Sequence, residues 1–467
     1  MALEYYTPGV YVEEVSSGFK PITGVPTSIV GFIGETQQGA LNQPEMIVSW
    51  GQYFDKFIGY TVVEKMSPRG TKVLDANGNV EMENIPNDIV TSLDWGVYAF
   101  FNNGGSKCYV VSVAHPASTP DPKEINALKQ EIERAEKEFN KDKKDSKKQL
   151  ELKSLENRLA KMSTASSSGI TKSIIGNDGG AGKRTGLHCF KDVDEIALLV
   201  APGITAQAVL LEILSYCETF NIFAILDAPQ TLDELSDYGL STNLNGLSGL
   251  SAKLVSKQAA LYFPWVKTYD KKTDSNISVA PSGFIAGIYG RVDNQRGVHK
   301  APANEVVRLA QDLEYNLSDA EQETLNQKGI NCIRNFSDIG ISVWGARTTI
   351  TLADPEWKYI NVRRLFNMIE KSLENGSKWA VFEPNDVFLW KKLKRNITAF
   401  LTRIHKSGAL VGANSDEAFF VKCDETTNPQ ENIDAGIVVV EIGIAPVKPA
   451  EFVVFRISQK APTAVTE

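Results

Sequence analysis

The residues Gly179-Gly180-Ala181-Gly182-Lys183 have the composition of a phosphate-binding loop. In such a loop glycine amides and a lysine hold the phosphates of a nucleotide. The spacing here does not fit. Asn177 stands five positions before Gly182, where the first glycine belongs, and Arg184 follows Lys183 where a serine or threonine would hold magnesium. A flexible Gly/Ser loop explains the stretch better. The histidines (His115, His188, His299, His405) are remote from one another and from cysteine, so zinc-ligand spacing is absent. No Gly-x-Ser-x-Gly elbow offers a hydrolase nucleophile. These residues predict no catalytic set, no cofactor and no metal.

One charged feature stands out. The stretch Asn385 to Ser407 reads as a long helix with the apolar stripe Trp390, Leu393, Ile397, Phe400, Leu401 and Ile404. Its other face carries Lys391, Lys392, Lys394, Arg395, Arg403 and Lys406, with Asp386 as the only acid at its start. Runs of bases on a helix are usually solvated. In a chain of net charge −8, with 57 acids against 49 bases, this one makes a local contact surface for an acidic partner. The overall acidity argues against a nucleic-acid binder.

The chain has 467 residues, enough for two or three domains. No apolar run reaches the ~20 residues that span a bilayer, and the start Met1-Ala2-Leu3-Glu4-Tyr5-Tyr6 lacks an export signal. Five scattered cysteines (Cys108, Cys189, Cys217, Cys332, Cys423) predict free, mostly buried thiols in a reducing compartment.

The elements that position these residues alternate between strand and helix. Strands are expected at Ser28 to Gly34, Lys107 to Val113, Ile196 to Val200, Ile222 to Asp227 and Leu261 to Val266, the last with an edge or bulge at Pro264. Helices are expected after Ser49 up to Gly59, from Ile89 to Asn103, and from Ala206 to Phe220. Asn77-Gly78 marks a hairpin within Lys72 to Glu81. The fold class is therefore α/β, with mixed α+β features. An insertion at 119–184 interrupts it. There the stripes Ile125, Leu128, Ile132, Ala135, Phe139 and Leu152, Leu155, Leu159, Met162 predict a helical hairpin, read as a solvated decoration. Further on, Ser318 and Glu321 have capping-box spacing, Ser342 to Leu352 is strand-like, and Asp354-Pro355 opens a helix that ends at Gly376.

Both termini read as strand arms. The first is Tyr5 to Val15, containing Val10, Tyr11 and Val12. The last comprises Ile437 to Ile444, with Val438, Val440 and Ile442, and Glu451 to Ser458, with Phe452 and Val454. Pro446 and Pro449 make the segment between them a stiff, extended spacer. Such arms either tuck into their own sheet or pair with a neighbouring chain.

Several blocks together resemble the sheath proteins of contractile bacteriophage tails and related injection systems. They are Pro8-Gly9-Val10-Tyr11-Val12-Glu13-Glu14, Pro281-Ser282-Gly283-Phe284-Ile285-Ala286-Gly287, the run Arg296 to Asn304, Gly329-Ile330-Asn331, and Val343 to Thr348. Tyr359 to Arg364, Gly408-Ala409-Leu410 and Pro449-Ala450-Glu451-Phe452 complete the set. The resemblance is dense from Ala259 to Gln459 and over the first ~35 residues.

The resemblance implies a non-enzymatic subunit that polymerises as stacked hexameric rings around an inner tube, with baseplate and tail-terminator or cap proteins as partners. It implies assembly in the bacterial cytoplasm into a phage tail or tail-like particle, with no direct contact to nucleic acid or membrane. It makes the two arms inter-subunit strands and Lys391, Lys392, Lys394 and Arg395 the inner-tube contact. His299 becomes a packing or interface residue. The expected organisation is an N-terminal arm at 1–24, an outer α/β domain at 25–300 holding the insertion, an inner domain at 301–432 and a C-terminal arm at 433–467. The alternation of elements alone also admits an α/β nucleotide-binding enzyme, and a non-contracting tube subunit is a third reading.

Overall fold

The computed structural model describes residues 21–65, 80, 82–115, 131, 134, 169–350 and 353–452. The chain divides into two compact units. The larger takes Pro26–Asn367 with the segment from Lys448, and the smaller takes the segment up to Val25 with Met368–Val447.

In the larger unit the chain runs β1 (Val30–Glu35), β2 (Glu45–Ile47), α1 (Trp50–Tyr53), β3 (Tyr60–Glu64), β4 (Met82–Pro86), α2 (Ser92–Asn103) and β5 (Cys108–Ala114). It continues through β6 (Leu198–Val200), α3 (Gln207–Phe220), β7 (Phe223–Asp227), α4 (Leu244–Lys253), β8 (Ala259–Phe263), β9 (Val266–Asp270), β10 (Ser275–Val279) and α5 (Ser282–Arg296). Then come β11 (Glu305–Val306), β12 (Asp312–Leu313), α6 (Asp319–Gln327), β13 (Ile330–Phe336), β14 (Gly340–Val343) and the start of α7 (Ile360–Ser377).

Nine strands form one sheet in the order β11-β14-β13-β8-β7-β6-β1-β5-β2. The run from β13 to β5 is parallel, and antiparallel strands close both edges. Successive side chains of a strand point to opposite faces, and here both faces are covered. Val30, Phe32, Leu198, Phe223 and Tyr262 face α2 and α5, while Ile33, Leu199, Ala224, Leu261 and Phe263 face the layer of α3 and α4. Doubly wound sheets take ligands where strand order reverses, here between β1 and β6. That place is packed by the chain itself: a Cβ on Gly96 of α2 would lie 2.5 Å from Pro202, which follows β6.

Helix α5 is buried along Ser282 to Val292. Two glycines let it approach α2 closely. A Cβ at Gly283 would sit 2.3 Å from the Gly96 carbonyl oxygen, and one at Gly287 would sit 2.4 Å from that of Phe100. Asp227, at the end of β7, accepts from the Ser282 amide (2.7 Å), the Ser282 hydroxyl (2.6 Å) and the Gly203 amide (3.0 Å). Burial raises its pKa to about 6, against the pull of those hydrogen bonds. At the other end of α5, Arg364 of α7 forks onto Asp293 (3.0 and 2.5 Å), both side chains 3% exposed. Thr27 donates its hydroxyl to Asp293 (2.5 Å) and accepts from Arg364 at its carbonyl (3.0 Å). The Tyr289 ring lies 4.5 Å from the guanidinium, and its hydroxyl meets that of Tyr262 of β8 at 2.8 Å.

The smaller unit is built from the end of α7, α8 (Val387–Lys406) and an antiparallel ribbon of β15 (Phe419–Lys422) and β16 (Glu441–Ile444). Leu389, Trp390, Leu393 and Cys423 form one core, with Trp379, Ile433, Val438 and Val440 against it.

The expected strands and caps between Val30 and Asp227 are present, and all five cysteines are free and buried. Other expectations need correction. Residues 305–343 do not open a second domain at 301, because β13 pairs with β8 and carries β14 and β11 into the same sheet. Pro264 is no bulge: it separates β8 from β9, which belongs to a different sheet. The strand before Trp344 stops at Val343, because the Asn331 side chain captures the backbone of Arg347 through its amide (2.7 Å) and carbonyl (2.8 Å). Gly376 lies one residue before the end of α7, as expected, and a Cβ there would press on Ile22 at 2.7 Å. The insertion at 119–184 is described only from Gly169 onward and at Glu131 and Arg134, both helical, so the hairpin lies largely outside the described residues. The Asn77-Gly78 turn lies outside them too, although β3 and β4 on either side pair antiparallel.

Replacing Gly283 with alanine should cost the larger unit about 2–3 kcal/mol, since the new methyl meets backbone that cannot yield. Gly51→Ala, with nothing within 4 Å, should be neutral or slightly stabilising. Urea midpoints of the two variants check this. Equal midpoints would mean that α2 and α5 separate at little cost.

Candidate interaction surfaces

Most of the residues that suggested chemistry make structural contacts, while the buried Nδ1 of His188 has no hydrogen-bond partner. Arg184 and Asp178 pair across a short surface turn, and the Asp178 carboxylate accepts from the Gly180 amide (3.3 Å), Arg184 (3.1 Å) and Lys191 (2.7 Å). Hydrogen bonds from Lys191, Arg184 and the Gly180 amide hold its pKa down at about 2. His115 bonds the Thr36 carbonyl, His405 bonds that of Gly412, and the His299 carbonyl accepts from Asn361 (2.8 Å). Burial lowers the His299 pKa, as fits a packing residue. Among the described residues no group of acids, histidines or cysteines could hold a metal, and no helix is long and apolar enough to cross a membrane.

Helix α8 follows its sequence pattern. Asp386 caps it, accepting from the Leu389 amide (2.9 Å). Trp390, Leu393, Ile397, Phe400 and Leu401 are buried, with Ile404 at the edge of the stripe. Lys391, Lys394 and Arg395 are exposed on the opposite face. Lys392 departs from them. It turns sideways, with its ammonium 4.6 Å from the centre of the Trp379 ring.

The C-terminal region divides differently from the expected arm. Among its described residues only Glu441–Ile444 is a strand, with Ile442 opposite Val421. Val438 and Val440 pack on the core of their own unit, because the Asn428 side chain holds the Val439 amide (2.6 Å) and carbonyl (3.1 Å) out of the ladder. Beyond β16 the spacer is extended as its prolines predict, with Pro446 bridged to Leu410 and the Val447 amide bonded to the Ala409 carbonyl (3.1 Å). Phe452 is exposed and outside any strand. Val10, Tyr11, Val12 and Val454 lie outside the described residues.

Sequence reasoning missed the most highly connected acid in this region. Glu451 was assigned to a strand. Its Oε1 accepts from Arg347 Nε (2.6 Å) and Asn326 Nδ2 (3.0 Å), and its Oε2 from Lys358 Nζ (3.0 Å) and Tyr359 OH (3.2 Å). Arg347 is itself fixed, donating to the Asn326 carbonyl (2.8 Å). Burial would raise the Glu451 pKa, but the hydrogen bonds from Arg347, Asn326 and Lys358 outweigh it and hold the group at about 2. One signal was available: a single acid between Pro449-Ala450 and Phe452-Val453, in an otherwise apolar segment.

A family model described as the phage tail sheath protein central domain matches residues 190–349, and one described as the phage tail sheath C-terminal domain matches 353–460. Together they cover more than half of the chain. The tail sheath protein of Vibrio phage KVP40 is 34% identical over 192 residues, 40% of this chain and only 27% of that protein. A putative prophage major tail sheath protein of Pseudomonas aeruginosa is 26% identical over 61% of this chain and 71% of its own length. In structure, the chain is similar to the sheath complex of an extracellular contractile injection system (PVC) in the contracted state. That match has a TM-score of 0.65 and 26% identity, over 98% of this chain and 99% of the other.

The carboxylate clamp yields a pH prediction. The folded pKa of Glu451 is depressed, so its stabilisation is full above the unfolded value near 4.5 and is lost as pH falls towards about 2. A shift of that size corresponds to about 3 kcal/mol. Glu451→Gln should remove it at neutral pH and speed proteolysis after Lys448 at least about tenfold. The variant should also lose the acid dependence between pH 4.5 and 2 that the parent shows. Identical digestion of variant and parent would show that the clamp does not hold the segment.

Proposed function

We propose that this chain, which belongs to the phage tail sheath family, is the repeating subunit of a contractile sheath. Copies stack as six-fold rings around an inner tube in an extended, metastable state, and contraction drives the tube through a target envelope. The observation that carries this reading is the similarity of fold, over 98% of the chain, to a contractile injection sheath. The energy is stored in the assembled lattice, so the α/β layer serves as scaffold rather than as a catalytic site. The packed crevice between β1 and β6 supports that role.

Strand addition joins the copies in this reading. Among the described residues β15 and β16 pair only with each other, so the ribbon offers open edges to a neighbour's arm. Val10 to Val12, and the chain around Phe452 and Val454, are the candidate donors, with Ile442 on the receiving ribbon. Lys391, Lys394 and Arg395 face the inner tube, with Lys392 at the margin. Baseplate and terminator proteins bound the two ends, and assembly takes place in the bacterial cytoplasm. The insertion at 119–184 lies outside both matched family regions.

Deleting the first 18 residues should leave a folded chain that no longer forms a stable sheath, because each lost strand removes several backbone hydrogen bonds worth roughly 0.5–1.5 kcal/mol each. Circular dichroism checks the fold, and size-exclusion chromatography with electron microscopy checks assembly. Long regular tubes from the truncated chain would overturn strand exchange. Tubes that the full chain forms but cannot shorten would overturn contraction.

A further inference from the structure

The exposed face of α8 carries more than charge. Phe388 is 80% exposed and shares that face with Lys391 and Arg395, three and seven residues on. In the preceding loop Val381 is 63% exposed and Phe382 fully so. Phe382 also has φ of 67°, a left-handed conformation that a bulky side chain adopts only at a cost. Backbone strain of this kind persists where the surroundings enforce it, and it collects at binding sites. Here the enforcement is visible. The loop is tied by the hydrogen bonds Val381 amide to Lys378 carbonyl (3.4 Å), Glu383 amide to Ala380 carbonyl (3.2 Å) and Asp386 amide to Pro384 carbonyl (3.0 Å). Trp379 and Ala380 root it in the core of the smaller unit. Two phenyl rings are thus held out in water on a fixed support, beside exposed cations.

We infer that Phe382 and Phe388 are apolar anchors of the tube-facing surface, and that the partner presents an apolar recess bordered by carboxylates. This rests on the reading of α8 as tube-facing. The charges select an acidic partner. Of the acids on this stretch, Asp386 is engaged in capping α8, and Glu383 lies on the loop. Aromatic groups that are buried only on association supply the contact that salt does not screen. The surface therefore combines a screened, steering component with an unscreened, holding one.

The test uses the full chain assembled on its tube protein. The double variant Phe382→Ser/Phe388→Ser should melt like the parent, since both rings are already exposed. Its tube-bound fraction should fall about tenfold or more even at ~0.5 M salt, where the charges are largely screened. The charge reversal Lys391→Glu/Lys394→Glu/Arg395→Glu should instead weaken binding most at low salt. A benzoylphenylalanine photocross-linker at position 388 should give an adduct with the tube subunit. Loss of binding in the charge reversal alone, with the phenylalanine variant as parent, overturns the anchors and leaves the basic contact standing. Parent-like binding of both variants overturns the tube-facing reading itself. An adduct between two copies of this chain assigns the anchors to sheath packing and overturns the inference.

Discussion

The larger unit depends on the buried fork between Arg364 and Asp293. It draws together the segment entering β1 through Thr27, helix α5 through Asp293 and Tyr289, the start of α7, and β8 through Tyr262. Every polar atom of the Asp293 carboxylate is used, which is what lets two charges leave water. A pair of this kind is strongly destabilising to break from one side, at about 3–5 kcal/mol. It fixes geometry more than it adds stability, because it accepts only one arrangement of four chain segments. Asp227 does the corresponding work at the opposite end of α5.

Around that frame the packing is tight enough to leave no ligand crevice where the sheet reverses. Glycines at 96, 283 and 287 bring α2 and α5 into backbone contact, and Pro202 fills the remaining gap. The surfaces proposed to engage partners belong to other elements, α8 and the β15–β16 ribbon among them. A tightly packed layer of this kind suits a subunit that keeps its fold while its contacts change.

Much of this was legible in the sequence. Short apolar runs gave β1, β5, β6 and β7, and Ser49 and the Ser318–Glu321 box gave helix starts, because these signals are local. Helix α5 gave no periodicity, since it is buried on all sides and rich in glycine. Gly376 marked the end of α7 to within one residue, but the room its missing side chain leaves for Ile22 was not legible. The Ile437–Val440 run has the shape of a strand but is claimed by Asn428. The Glu451 clamp was invisible because its partners come from 92 to 125 residues away. Of the four bases read as one face, Lys391, Lys394 and Arg395 are exposed, while Lys392 lies over the Trp379 ring. The phenylalanines of this face were overlooked because attention to the core stripe leaves no reason to ask about an aromatic off it.

The clamp at Glu451 also determines how the chain end bears load. Four donors grip one carboxylate, so a pull arriving from beyond Phe452 strains all four together. A ribbon such as β15–β16 pulled from its end would open one rung at a time, and a zipper yields at a fraction of the force that parallel bonds withstand. Along the chain, Glu451 is met before Val447 and β16. It works as a cleat: tension is taken up in the larger body, and the light ribbon behind it stays slack.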